Sequence, residues 1–331
     1  MGAGGMSAPL KRTQVPVVDT DGFEFALLAG LSASPKRIPS KFFYDRTGSE
    51  LFEQICALHE YYPTRTETEL LIRHGREIAH YFGERAALVE FGAGALRKAR
   101  ILLRAMERPA AYLPIDISGD FLRGVARDIA PAVAGLSIRP IVADFTQPLV
   151  LPADTMRLRR VGYFSGSTIG NFEREDALSF LRMAARLLAG GGLLVGVDLV
   201  KDPNILHEAY NDAAGVTAAF NRNVLVRANR ELGADFEVDR FAHYAFYAPH
   251  VQQIEMHLFS LGAQVAHVSD QRVRFAEGES ILTEISRKFT VEGFQALASE
   301  AGLVPGAVWC DERRLFSLHW LEAPERASTE F

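Results

Sequence analysis

The chain has 331 residues, of which 48% are hydrophobic and 23% charged. This is ordinary globular composition, too apolar for a disordered chain and long enough that two lobes are expected rather than one growing core. Its 41 acidic residues outnumber 36 basic ones for a net charge of -5. The densest basic cluster (Arg157, Arg159, Arg160) reads as a solvated joint between two elements, so no electrostatic grip on nucleic acid is expected.

Cys56 and Cys310 are the only two cysteines. They can build neither a disulfide framework nor a zinc site, which fits a reduced compartment and no metal. His243, His250 and His257 recur every seven residues, but Pro249 breaks any helix that would align them. The first residues carry no apolar leader. The longest apolar stretch, near Leu193–Val200, contains Asp198 and is far too short to cross a bilayer. A cytoplasmic chain with no membrane partner is expected.

In chain order, residues 1–19 are small and polar and are expected to be flexible. Gly22–Tyr62 reads as helical, interrupted at Ser34-Pro35, and Glu67–Phe82 carries apolar residues at helical spacing. Then the rhythm changes. Short apolar runs at Ala86–Phe91, Ala111–Ile117, Leu136–Ala143, Arg160–Phe164 and Leu193–Val200 predict strands. Helices are predicted between them at Lys98–Met106, Asp120–Ile129 and Arg174–Leu188, the last closed by Gly190-Gly191-Gly192. Apolar strands alternating with helices imply βαβ units and a doubly wound, mostly parallel α/β sheet. From Lys201 to Thr290 the alternation stops. A helix is followed by β-like stretches at Phe241–Tyr247, Gln264–Val268 and Ile281–Phe289, an insertion that the N-terminal 60 residues are expected to pack against. A helix at Val291–Ala301 and a hairpin of Leu303–Trp309 and Leu315–Leu321 would complete the sheet.

In such a sheet, ligands bind outside the carboxyl ends of the strands. Glu90-Phe91-Gly92-Ala93-Gly94 sits at the first of these ends, where glycines let backbone approach a ligand. The dinucleotide fingerprint GxGxxG is incomplete, because its last position is Arg97. Asp116 ends the next strand, 22 residues after Gly94, and can accept from both hydroxyls of a ribose. Asp144 ends the third and can accept from an adenine amino group, with Phe145 packing on the base. Both acids could instead be helix N-caps. Three acids at three successive strand ends favour the ligand, and the third favours a methyltransferase over a dehydrogenase.

Further motifs carry a resemblance. Lys41–Asp45, Gly48–Phe52 and Glu60–Arg65, then Gly166–Asn171, Tyr210–Leu225, Ile254–His257 and Thr283–Phe289 are similar, in order, to the histidine Nα-methyltransferases of ergothioneine biosynthesis. The similarity spans about residues 35–320. It implies a seven-stranded class I methyltransferase sheet with a second, α+β substrate lobe. The core would take 62–200 and 291–331, and the lobe 20–61 and 201–290. It implies S-adenosylmethionine (SAM) as methyl donor, held by Glu90, Gly92, Gly94, Lys98, Asp116, Asp144 and Phe145. The loop departs from the family at Ala95-Leu96-Arg97. The substrate would be the small molecule L-histidine. Asn171 and Tyr210 would hold its carboxylate and Glu284 and Ser286 its imidazole, with Phe52, Tyr61 and Met256 lining the pocket. Tyr44 would lie near the amine, and Tyr44 and Tyr61 are the catalytic candidates. Up to three methyl groups would be added, giving hercynine and S-adenosylhomocysteine, by a monomer. The alternatives are an N-methyltransferase acting on another amino-acid-like or indole amine, and a non-catalytic nucleotide-binding module.

Overall fold

The computed structural model describes residues 20–325, apart from 95, 120, 121, 125–128, 130–132 and 134. The expected flexible N-terminus and most of the helix expected at Asp120–Ile129 therefore lie outside the described residues.

Eight strands build the larger sheet: β2 (Ala87–Phe91), β3 (Ala111–Asp116), β4 (Ser137–Ile138), β5 (Ile141–Val142), β6 (Arg160–Phe164), β7 (Gly192–Asp198), β13 (Val304–Cys310) and β14 (Phe316–Glu322). Their order is β13-β14-β7-β6-β2-β3-β4, with β5 also beside β3. The pairs from β7 to β4 and β5 are parallel, whereas β14 runs antiparallel to β7 and β13 antiparallel to β14. The expected third strand at Leu136–Ala143 is thus two short pieces. Pro140 supplies no backbone N–H and breaks the ladder between them.

Alternate side chains of the buried strands feed two cores. On one face Leu88, Tyr112, Val161 and Leu194 pack against α3 (Tyr62–Phe82) and α4 (Leu96–Ala105). On the other, Val89, Leu113, Phe164 and Val195 pack against α5 (Arg174–Leu187) and α8 (Val291–Glu300). Each such large apolar side chain stabilises the fold by about 1.5–3 kcal/mol. Helix α3 starts earlier than its periodicity suggests, because Pro63 in its first turn needs no hydrogen-bond acceptor. Arg159 is not simply solvated. It donates to the carbonyls of Phe82 (2.9 Å) and Gly190 (2.6 Å), tying off the ends of two elements.

A second sheet orders β1 (Lys36–Arg37), β12 (Ser280–Arg287), β9 (Gln253–Ser260) and β8 (Phe241–Ala248). It packs with α1 (Thr20–Ser32), α2 (Arg46–Ala57), α6 (Pro203–Tyr210) and α7 (Val216–Leu232) around one core that includes Phe23, Phe43, Phe220 and Met256. The N-terminal segment does pack against the inserted one. It is not helical throughout, since Lys36-Arg37 adds a parallel strand beside Ile281-Leu282. Strand β9 and strand β11 (Gln271–Phe275), which pairs with β10 (Gln264–Val268), were not anticipated from the sequence pattern. Pro249 sits in the β8–β9 turn, so His243 and His257 face each other's strands rather than one helix. The chain leaves the larger sheet and returns to it side by side: the Val200 N–H donates to the Phe289 carbonyl, and the Phe289 N–H to that of Asp198.

His319 on β14 is fully buried against Phe294, with Nε2 2.9 Å from the Ser317 hydroxyl and Nδ1 without a partner among the described residues. Burial pushes its pKa down to about 4. A histidine held neutral favours the fold above its unfolded pKa of about 6.5, and that contribution disappears as pH falls toward the folded value. Chemical denaturation should therefore show stability falling by up to about 1.4 kcal/mol per pH unit between those values from this residue. His319→Leu should flatten that slope; an unchanged slope would mean another group controls acid stability.

Candidate active site

The glycine turn after β2 hangs on the end of β3: the N–H groups of Gly92 and Ala93 both donate to the Ile115 carbonyl, at 2.9 and 3.1 Å. Gly92 has φ +73°, a left-handed backbone that favours glycine, and a Cβ there would lie 3.3 Å from the Phe145 ring. Gly94 has open space where a side chain would stand. The turn, Phe145 and the end of β3 therefore come together. Asp116 accepts from the Ser118 N–H at 2.8 Å, and burial raises its pKa. Asp144 accepts from the Thr146 N–H at 2.9 Å and pairs with Lys41 of the N-terminal segment at 3.2 Å. Both acids make short-range caps, yet both residues remain only half-buried. Glu90 is buried beneath the turn, where it accepts from the Tyr112 hydroxyl and burial pushes its pKa up to about 8.

Lys98 is buried too, and its ammonium meets Glu67 at 2.5 Å. Glu67, on α3, had no role in the sequence reading. Its carboxylate also accepts from the Tyr163 hydroxyl (3.0 Å) and the Gly166 N–H (2.9 Å). It thereby joins α3, the glycine-turn helix α4, and the loop after β6. Gly196 makes the room: a Cβ there would fall 2.3 Å from the Glu67 carboxylate.

The opposite wall is aromatic. The rings of Tyr44, Phe52, Tyr61 and Tyr210 pack edge to face in sequence, with centroids 5.6, 6.3 and 6.3 Å apart. Burial raises the pKa of Tyr44 and Tyr61 well above 10, with Glu284 adding to the rise in both and Asp116 adding to it in Tyr44. Tyr44 thus lies within electrostatic reach of both the β3 carboxylate and the β12 carboxylate. Neither phenol can serve as an ionised base near neutral pH.

Glu284 and Ser286 reach this wall through a β-bulge. Strand β12 pairs Ile281 with Leu258 before the bulge and Glu284 with Met256 and Ser286 with Ile254 after it, the register shifting between Leu282 and Glu284. Ile254, Met256 and Leu258 face the buried core. Without the extra residue, Thr283 would share their face and Glu284 would point outward. Thr283 instead donates to the Met256 carbonyl at 3.0 Å. Burial pushes the Glu284 pKa up to about 7, against the pull of Lys288.

Asn171 closes a 3-10 turn (Thr168–Asn171) that packs on β12. Gly170 permits the approach, since a Cβ there would lie 2.6 Å from the Arg287 carbonyl. Asn171 does not cap α5, whose N-cap is Glu173, and its amide makes no hydrogen bond among the described residues.

Tyr210 and Ser286 also join a buried network centred on Asp198 and Lys288, two residues to which the sequence assigned no role. Asp198, ending β7, accepts from Tyr62 (2.8 Å), Lys201 (2.5 Å) and Lys288 (2.8 Å). Lys288 also donates to Ser286 (2.7 Å) and Tyr210 (3.1 Å), and the Tyr210 hydroxyl donates to Ser286 (2.8 Å). Asp198 is held below the usual carboxylate range by the two lysines despite its burial, and Lys288 is held charged mainly by Asp198. For Asp198 the available signal was a carboxylate inside the apolar run Leu193–Val200, too costly to bury unless paired, whereas Lys288 stands among polar residues and gave no such signal.

A family profile for a "Histidine-specific methyltransferase, SAM-dependent" matches residues 23–323. The chain belongs to this family. The methyltransferase is 44% identical over 296 residues to a histidine N-alpha-methyltransferase of Mycolicibacterium smegmatis, covering 88% of this chain and 91% of that one. It is 41% identical over 297 residues to the protein of that name from Mycobacterium tuberculosis, with the same coverage. It is 28% identical to "Ergothioneine biosynthesis protein 1" of Neurospora crassa over 83% of this chain and 32% of that one. Among the described residues of the methyltransferase no helix is long and apolar enough to cross a membrane, and no cluster of three or more His, Cys, Asp or Glu could hold a metal.

Removing Glu67 would leave the Lys98 ammonium buried and unpaired. Glu67→Ala should cost about 3–5 kcal/mol of unfolding free energy, measured by denaturant titration. A loss under about 1 kcal/mol, the range of exposed pairs, would show that water replaces the carboxylate.

Proposed function

We propose that the chain is a SAM-dependent N-methyltransferase that acts on the α-amine of L-histidine, adding up to three methyl groups to give hercynine, in ergothioneine biosynthesis. The observation that carries the reading is the family match over residues 23–323 together with relatives of that activity at 41–44% identity. The geometry supports it. An open glycine turn with two strand-end carboxylates suits a nucleoside. A polar pair and an amide with no partner among the described residues, set against an aromatic wall, suit a small amino acid.

In this reading the larger sheet is the seven-stranded, doubly wound class I arrangement, β4 and β5 counting as one interrupted strand. Residues 62–200 and 291–331 bind SAM, and 20–61 with 201–290 form the substrate lobe. Asp116 accepts from the ribose hydroxyls, Asp144 from the adenine amine, and Phe145 packs on the base. Gly92 and Gly94 admit the ligand backbone-close, while Glu90 and Lys98, expected as cofactor contacts, are committed to Tyr112 and Glu67 and act instead by holding the turn and its helix in place. When bound, SAM supplies an activated methyl group on a sulfonium. The protein's contribution is orientation, which can lower a barrier by roughly 7–11 kcal/mol. Asn171 and Tyr210 anchor the carboxylate, Glu284 and Ser286 the imidazole, and Phe52, Tyr61 and Met256 shape the space between. The attacking amine must be neutral. Tyr44 faces it as a neutral phenol and passes its proton to solvent rather than acting as a strong base. The growing cation is stabilised by Phe52 and the tyrosine rings. Both described cysteines are unpaired, which fits the reducing cytoplasm. One chain supplies every assigned group, which fits a monomer.

An indole amine is the rival substrate. Glu284 weighs against it, because its second carboxylate contact would go unpaired beside a carbon ring. Mass spectrometry of histidine and tryptophan incubated together with enzyme and SAM decides between them, with histidine expected as the methylated product. SAM binding with no methylated amine at all would instead support the nucleotide-binding module.

Asp116→Ala should weaken SAM binding at least tenfold in calorimetry, as expected for lost hydrogen bonds to a charged group. An unchanged Kd would remove Asp116 from the cofactor site. The Glu284 pKa of about 7 adds a pH effect. Above that pH the carboxylate accepts the ring N–H; as pH falls through it the acceptor is protonated, so the histidine KM should rise. Glu284→Gln should retain measurable activity and lose this limb of the KM profile. If the limb survives, it belongs to the substrate ring alone.

A further inference from the structure

We infer that Lys288 is a positioning residue for substrate recognition: by donating to both Ser286 and Tyr210, it turns the two hydroxyls into hydrogen-bond donors toward the substrate. An ammonium has three N–H groups and no acceptor. All three of those on Lys288 have oxygen partners: Asp198 at 2.8 Å, Ser286 at 2.7 Å and Tyr210 at 3.1 Å. Its side chain is fully buried, so water does not compete for them. A hydroxyl has two acceptor positions and one proton. Ser286 accepts from Lys288 and from the Tyr210 hydroxyl, so its own proton is what remains to offer. When a carboxylate takes the Tyr210 proton, Ser286 keeps its bond from Lys288, and the ammonium behind both hydroxyls still orients their protons outward.

This sharpens the reading of the site as a histidine site, on which it rests. Ser286 donates and Glu284, two residues away on the same face of β12, accepts. Such a pair fits a neutral imidazole, with one N–H and one bare nitrogen, in a single orientation. It disfavours a ring with two N–H groups, which would press a donor against Ser286 with the Lys288 ammonium behind it.

The test uses two ligand analogues, with S-adenosylhomocysteine present, in mildly alkaline buffer. A pyrrolylalanine, as both ring isomers, keeps the N–H and replaces the bare nitrogen by C–H. A thiazolylalanine keeps a bare nitrogen and lacks the N–H. Calorimetry gives the Kd of each relative to histidine. In the wild type both analogues should bind at least tenfold more weakly than histidine. In Lys288→Met the preference for histidine over pyrrolylalanine should fall at least tenfold, while that over thiazolylalanine, which reads Glu284, should stay. A merely structural role would weaken all three ligands alike and leave both ratios unchanged, which overturns the inference. Ser286→Ala keeps Lys288 and deletes the donor, so it should lose the pyrrole discrimination even if Lys288→Met fails to fold; a retained ratio there also overturns it. If the wild type binds none of the three, the histidine reading itself fails and takes this one with it.

Discussion

The buried contact between Asp198 and Lys288, 2.8 Å long, holds the rest of the site in register. Asp198 is the last residue of the interior strand β7, and Lys288 follows the last residue of β12 in the other sheet. The pair therefore joins the carboxyl end of the larger sheet, where a cofactor would sit, to the strand that carries Glu284 and Ser286. Burying two charges is not in itself a route to stability, because the desolvation penalty offsets much of the attraction. What it provides is exclusivity. Any packing that separates the two sheets by a few ångströms leaves an unpaired ion in the interior. Tyr62 and Lys201 share the load on Asp198, and burial lowers the Lys201 pKa to about 8.

Around that pair the two strand junctions run together. Backbone bonds between Asp198 and Phe289 and between Val200 and Phe289 tie the exit of the inserted segment to its return. A second buried ion pair, Lys98 with Glu67, does the equivalent task on the cofactor side, anchoring the glycine-turn helix to α3 and to the loop after β6. The groups that would touch ligands are thus held by charges that would not. Their partners are fully committed, whereas Asn171 has none among the described residues.

The aromatic wall adds a constraint of another kind. Tyr44, Phe52 and Tyr61 come from the N-terminal segment and Tyr210 from the inserted one, yet they form one run of edge-to-face contacts. Raised phenol pKa values keep the hydroxyls neutral, and the ring faces can stabilise a methylated cation without a formal counter-charge. Lys41, from the same N-terminal segment, reaches Asp144 across the cleft. The segment before α2 therefore contributes to both halves of the site.

Much of this was legible in the amino-acid sequence. Apolar runs ending in Glu90 and Asp116 mark buried parallel strands with polar carboxyl ends, and local periodicity suffices there because β2 and β3 are covered on both faces, whereas the run before Asp144 is two short, partly exposed strands. The motifs around Asn171, Tyr210 and Glu284 carry the family likeness without any coordinates. What the tertiary structure alone decided is pairing and parity. Lys36-Arg37 becomes a strand only because β12 offers an edge, and Pro140 splits a strand that composition presents as one. Alternation along β12 places Glu284 and Ser286 on a common face, but which face depends on the bulge at Thr283, a property of the β9–β12 pairing and not of either strand alone. Likewise Asp198 looks anomalous in its apolar stretch, and the reason appears only when the fold sets Lys288 2.8 Å from it.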